Sequence, residues 1–237
     1  MPEPHDSDPA VSAQAVTPDT EWFWTELDLV RAKWNVLEHP FYAGWAHGTL
    51  AADDLAYYAE EQDHLVSAVA ALARGAATKA PDGILRDLLA DVAQEEDGRT
   101  AQWGRFIRAS GWDPRSAWHF GSEPAAGTLA CSRVWAGDPS RALALDLVTL
   151  CALQASLPAV ASYERSGLLG CYGYADDATT GYFLDRACHR QESTARIHAA
   201  LAGLLAGEDC LRLLAQAESV HSSHWQMLDG LQQSVLR

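Results

Sequence analysis

From about residue 19 onward, apolar residues recur at steps of three and four, the period of a helix that buries one face. The pattern predicts long helices near 20–38, 52–75, 82–110, 140–166, 177–206 and 208–235, with a shorter one near 125–136. No alternating run competes with them, so the expected class is all-α, a single compact bundle of about seven helices. The breaks between blocks have local causes. His39-Pro40 bars the residue before proline from the helical region; Ala80-Pro81-Asp82-Gly83 and Gly137-Asp138-Pro139 combine turn formers with N-cap residues; Gly167 to Asp177 holds three glycines. Pro158 inside the 140–166 block is expected to kink it, because the ring removes a backbone donor and crowds the preceding turn. Residues 1–18 carry no hydrophobic period and read as a flexible arm, followed by one domain over 19–237.

Composition narrows the partners. At 237 residues and 48% hydrophobic, the chain can bury a substantial core. Its formal charge of -15, with lysine only at Lys33 and Lys79, would repel nucleic-acid phosphates and anionic membranes, which leaves a small-molecule substrate as the favoured partner. Five cysteines without a C-x-x-C spacing fit reduced thiols better than a disulfide framework. The first residues lack the basic and apolar regions of a signal peptide, and no uninterrupted apolar run of about 18 residues occurs, so a cytoplasmic, soluble protein is expected.

Candidate chemistry follows from which polar residues share helical faces. Glu61 and His64 stand at i and i+3, a spacing that offers a carboxylate and an imidazole to one metal, or a base and its orienting group. The run from Glu60 to Asp63 also reads as a solvated acidic face. Glu95, Glu96 and Asp97 pose the same choice. Asp185, His189 and Glu192 lie at steps of four and three and share a face with Tyr182. Together with Glu61, His64 and Glu96 they would make a two-histidine, carboxylate-rich Fe(II) site. His221 and His224, again at i and i+3, are candidates for substrate contact or proton transfer, or satisfied core histidines.

Four stretches in order resemble the haem-oxygenase-like superfamily, in particular the branch holding pyrroloquinoline-quinone synthase, the TenA proteins and related non-haem iron oxidases. They are His39-Pro40-Phe41-Tyr42 with Trp45, Gly48 and Leu50; Glu95-Glu96-Asp97-Gly98 with Trp103 and Phe106; Leu150 to Pro158 with Tyr172-Gly173; and Tyr182-Phe183 leading to Arg186. The resemblance implies an iron site in the oxidases, yet the matching positions here hold Gln154, Arg186, Arg190 and Ser193, none a good iron ligand. It implies a nucleophilic cysteine and a late glutamate in the thiaminases, where this chain has Ala159 and His221. Tyr182-Phe183, Arg186, Gln191 and His198 match the spacing of the quinone synthases, which oxidise with dioxygen and no metal. The resulting expectation is a dioxygen-dependent oxidase of small-molecule biosynthesis acting on a carboxylate-bearing, amino-acid-like substrate. Arg186 and Tyr182 anchor that substrate, Gln154 and Tyr163 line its pocket, and Glu61, His64, His189, His198 and His221 supply catalysis. Fe(II) is the expected metal, held by Glu61, His64, Glu96, Asp185, His189 and Glu192. No haem is expected. A metal-free oxidase and a non-catalytic binding protein are the alternatives, and the resemblance implies a homodimer.

Overall fold

The computed structural model describes residues 18–109, 123–175, 177–188 and 191–235. Among them there is no strand and there are nine α-helices: α1 (Pro18–Lys33), α2 (Pro40–His47), α3 (Ala52–Lys79), α4 (Ile84–Ala109), α5 (Ala126–Ala136), α6 (Leu143–Cys171), α7 (Asp177–Ala187), α8 (Gln191–Leu204) and α9 (Cys210–Val235). The predicted all-α class is the observed one. The first 17 residues, read as an arm, lie outside the described residues.

α6 is the axis of the bundle and packs against α1, α2, α3, α7, α8 and α9. It is apolar nearly all round, as a helix enclosed by others must be. By length and composition alone it would pass for a membrane span, yet 67% of its most apolar stretch is buried inside the bundle.

Three boundaries differ from expectation. His39-Pro40 does not merely end a helix; it starts a new one. The His39 Nδ1 accepts from the Phe41 N–H at 3.1 Å, proline occupies the first turn, and Gly48 closes α2 at φ 65°. With Nδ1 accepting, the His39 proton sits on Nε2 and donates to Asp229 on α9 at 3.1 Å, while Trp225 packs edge-on against the imidazole. The expected 177–206 helix is two, with a turn at Cys188 between α7 and α8. The expected break across Gly167 to Asp177 is present but starts later than its first glycine, because α6 runs on through Cys171.

Gly167 has a packing reason instead. The Trp45 indole lies directly on it, and a β-carbon there would overlap the ring. From this position the Trp45 indole N–H donates to the Glu164 carbonyl at 3.0 Å, tying α2 to α6. Trp103 donates in the same way to the Ala59 carbonyl on α3 at 3.1 Å, and Trp135 to Val220 on α9 at 3.2 Å. Each buried indole thus satisfies its one donor across a helix interface. Pro158 lies inside α6 as expected and leaves the Gln154 carbonyl without its helical N–H.

Gly167→Ala should destabilise the fold by about 1–3 kcal/mol, since a rigid, fully buried indole has to move for one methyl group. Urea denaturation checks this; unchanged stability would mean that the α2–α6 contact yields without cost.

Candidate functional site

The interior of the bundle holds two carboxyl groups that burial treats in opposite ways. Glu164, on α6, is 3% exposed and accepts hydrogen bonds from two phenols. Tyr42 of α2 reaches its Oε1 at 3.1 Å, Tyr58 of α3 donates a shorter bond to the same oxygen, and the two hydroxyls lie 3.2 Å apart. Burial lifts the Glu164 carboxyl from its ordinary 4.5 to about 7, against the pull of the Tyr58 and Tyr42 hydrogen bonds and the Arg186 charge. Burial and the adjacent Glu164 carboxyl push both phenols well above their usual range. The cluster is a proton-holding group set to change state near neutral pH, walled by aromatic rings. Tyr163 stacks edge-on against Tyr42 at 5.8 Å and donates to the Tyr42 carbonyl at 3.2 Å.

Glu96, on α4, is equally buried but paired. Arg186 of α7 grips it with both terminal nitrogens, Nη1 to Oε1 and Nη2 to Oε2 at 2.8 Å each, and Arg99 adds a bond to Oε1 at 2.6 Å. Burial alone would raise the Glu96 carboxyl, but Arg186 and Arg99 outweigh it and hold it below the usual range. The guanidinium of Arg186 stands beside Tyr182, whose ring packs edge-on against Trp103 at 4.7 Å. Tyr182 feels both Arg186 and Glu164, which links the two carboxyl centres electrostatically. On its outer side Arg99 donates to the half-exposed Asp185 at 3.0 Å, beside a surface pocket of about 260 Å³.

This arrangement revises several expectations. Arg186 does point inward and does pair bidentately with a carboxylate, but the carboxylate is the protein's own Glu96 and not a ligand's. Both Glu96 oxygens are therefore committed to guanidinium groups. Glu61 is buried on α3, and its two oxygens accept from the Ala125 N–H at 3.2 and 3.1 Å. It satisfies the N-terminus of α5, whose own N-cap is an alanine with no side-chain oxygen, and the helix dipole favours its charge there. His64 is half-buried and acts electrostatically on Asp63. Asp185 faces outward to Arg99. His189 lies outside the described residues, as does the side chain of Glu192.

Among the described residues no three histidine, cysteine or carboxylate side chains converge as metal ligands. The proposed Fe(II) donors do not fit: Glu96 and Asp185 are bound to arginines, and Glu61 to a helix terminus. Gln154 is half-buried with an unpartnered Oε1. His198 stacks flat on Trp24 at 4.7 Å, and His221 and His224 lie buried on α9, away from solvent. Burial holds His221 down to about 4, aided by the Arg31 charge, so at neutral pH it is an uncharged imidazole, which suits the substrate contact expected of it better than proton donation. Ala159, at the position where the resemblance puts a nucleophilic cysteine, lines the same cavity as His221 and carries no nucleophile. Cys151 is close in sequence, but burial raises its thiol and leaves no thiolate to attack.

Sequence reading missed Glu164, Tyr58 and Arg99 as site residues and took Tyr42 only as part of a scaffold signature. The available signal was a lone acid late in an otherwise apolar helix, since a charged group enclosed on all sides requires dedicated partners.

Two outcomes are expected. A carboxyl whose folded pKa is raised stabilises the fold fully below its unfolded pKa and loses that contribution as pH rises through its folded value. Between pH 4.5 and about 7 the wild type should therefore lose stability relative to Glu164→Gln by on the order of 3 kcal/mol, measured by denaturation at each pH. Arg186→Ala should cost about 3–5 kcal/mol by stranding Glu96, and Glu96→Gln in the same chain should recover a large part of it. Additive losses in that cycle would show the pair to be energetically independent.

Comparison with known proteins agrees with this architecture. A model of the TENA/THI-4/PQQC family matches residues 27–202. Two relatives named 4-aminobenzoate synthase are similar in sequence. The protein from Chlamydia trachomatis is 27% identical over 215 residues, covering 88% of this chain and 91% of the relative. The one from Nitrosomonas europaea is 25% identical over 179 residues, covering 69% and 72%. Among solved structures, a TenA homolog from Pseudomonas syringae superposes with a TM-score of 0.75 at 15% identity over 97% of this chain and 98% of that one. A domain of unknown function with a heme oxygenase-like fold from Shewanella denitrificans gives 0.62 at 15% identity, over 93% and 94%. With the family match spanning most of the chain and the same helical bundle in both structures, this protein belongs to the TENA/THI-4/PQQC family on the haem-oxygenase-like fold.

Proposed function

We propose that this protein is an enzyme of small-molecule biosynthesis that produces an aromatic amino carboxylate of the aminobenzoate class by an oxidative reaction. The single observation that carries the reading is the Glu164 cluster, a buried carboxyl with a pKa of about 7 hydrogen-bonded to two phenols. Such a group costs stability and has no packing purpose, and a pKa matched to neutral pH is what proton transfer requires. The names of the sequence relatives supply the product class.

In this reading dioxygen is the oxidant. Each two-electron oxidation of bound substrate releases two electrons and two protons, and reduces dioxygen to hydrogen peroxide. Glu164 takes a proton from the reacting centre and returns it, with the Tyr42 and Tyr58 hydroxyls passing it across the cluster. Arg186 and Glu96 keep a fixed charge pair beside Tyr182 and hold that wall of the site in place. The aromatic enclosure of Tyr42, Tyr58, Tyr163 and Trp45 keeps bulk water off these groups.

Expression in a bacterium lacking its own 4-aminobenzoate synthesis tests the reading. Growth without added 4-aminobenzoate is expected for the wild type, with Glu164→Gln and Tyr58→Phe reducing growth while remaining folded by circular dichroism. Soluble, folded wild-type protein that fails to support growth would sink the assignment.

A further inference from the structure

Glu96, Arg99 and Arg186 are charged groups enclosed in the bundle, with side chains 4%, 5% and 6% exposed. A buried ion pair is often no more stabilising than apolar residues of the same volume, because each charge gives up its hydration. Packing alone therefore does not account for the pair, and its surroundings give it a direction.

Arg186 places both terminal nitrogens on Glu96 at 2.8 Å, so its Nε lies at the opposite end of the guanidinium, and there it has no hydrogen-bond partner. Arg99 also holds Glu96, at 2.6 Å, and is itself anchored by the half-exposed Asp185 at 3.0 Å. With two guanidinium groups on it, Glu96 stays ionised. Toward the interior, Arg186 stands 5.8 Å from the centre of the Tyr182 ring, which Trp103 fixes edge-on at 4.7 Å. Tyr182 feels the charge of Arg186 most, that of Glu164 next and that of Glu96 least, so the positive end of the pair faces the Glu164 cluster. Among the described residues, the ionisable groups acting on Glu164 are Tyr42 of α2, Tyr58 of α3, and Arg186 and Tyr182 of α7. Arg186 is the permanent charge in that set. A cation near a carboxyl favours its ionised form, and an anion behind the cation takes back part of the effect. In an interior without water, neither influence is screened as it would be at the surface.

We propose that the Arg186–Glu96 pair sets the proton affinity of Glu164: Arg186 favours release of the Glu164 proton, and Glu96 limits how far. Both are positioning residues, acting on a substrate only through Glu164. This role rests on the reading of Glu164 as the proton-exchanging group, but the field of the pair acts on that carboxyl whether or not a substrate turns over.

The infrared band of the protonated Glu164 carboxyl, identified by its loss in Glu164→Gln, reports the titration directly in the full chain. The wild-type midpoint is expected at about 7. In the double variant Arg186→Met/Glu96→Leu, where an apolar pair of similar volume preserves the fold, the midpoint should rise by about one pH unit. Arg186→Gln/Glu96→Gln is the polar form of the same test, with the same expected sign, should the apolar pair fail to fold. Glu96→Gln alone leaves the Arg186 charge unopposed by its carboxylate and should lower the midpoint. The limb of the pH–activity profile that Glu164 governs should follow the band in each case. A merely structural pair would on loosening admit water and move every variant down toward the ordinary 4.5. A midpoint that stays or rises in Glu96→Gln, or that stays or falls in a folded double variant, would overturn the proposal. Failed growth rescue alongside the expected shifts would reject the assigned reaction and leave the tuning of Glu164 standing.

Discussion

Burying a carboxyl group in a bundle of apolar helices removes the water that would stabilise its charge, and the interior of this protein is organised around two responses to that constraint. Glu96 keeps its charge because two guanidinium groups replace the lost hydration, one of them through both terminal nitrogens. Glu164 receives only phenol hydrogen bonds, which are too weak to offset burial, and its proton becomes easy to gain and lose near neutral pH. Tyr182 lies within reach of both fields. One carboxyl stays ionised and the other holds its proton up to about neutral pH, and the difference lies in what faces them rather than in how deeply they are buried.

The frame that holds these groups is aromatic. Trp45, Trp103 and Trp135 each bridge a different pair of helices by donating the indole N–H to a carbonyl across the interface. His39 caps α2 with one ring nitrogen and reaches α9 with the other, under the edge of Trp225. These contacts hold His39 to Trp45, a stretch that carries the likeness to the family, against Trp225 and Asp229 of α9. Trp45 also touches α6 at Gly167, one turn from Glu164, so packing of the frame and placement of the reactive carboxyl are coupled.

Family membership establishes the fold and narrows the chemistry without deciding it, since function resides in the site and not the scaffold. At positions where the related iron oxidases are expected to place ligands, this chain has built an arginine–carboxylate pair. Buried polar atoms without a partner include Gln154 Oε1 on α6 and the Nε2 atoms of His221 and His224 on α9, and also the Nε of Arg186 beside that pair. A charge-paired interior beside a proton-active carboxyl suits acid–base work on a bound substrate better than metal coordination by the same side chains.

The helical class, most of the helix blocks and the inward direction of Arg186 were legible in the chain, because a period near 3.6 and an arginine beside aromatic anchors are local facts. Local rules placed the end of α6 a few residues early, at Gly167, because the reason for that glycine is an indole from α2 that is distant in sequence. They likewise treated His39-Pro40 as a stop, although α1 has already ended at Lys33 and the proline is the favoured first residue of α2. The site was the least legible part. Glu61 looked like a ligand until α5 placed its bare N-terminus against it, and Arg186 looked free until α4 supplied Glu96. Sequence spacing determines which side chains share a face of one helix; only the packing of helices decides which charges meet. In an interior without water that meeting determines whether a carboxyl is a structural ion, as Glu96 is, or a proton-exchanging group, as Glu164 is.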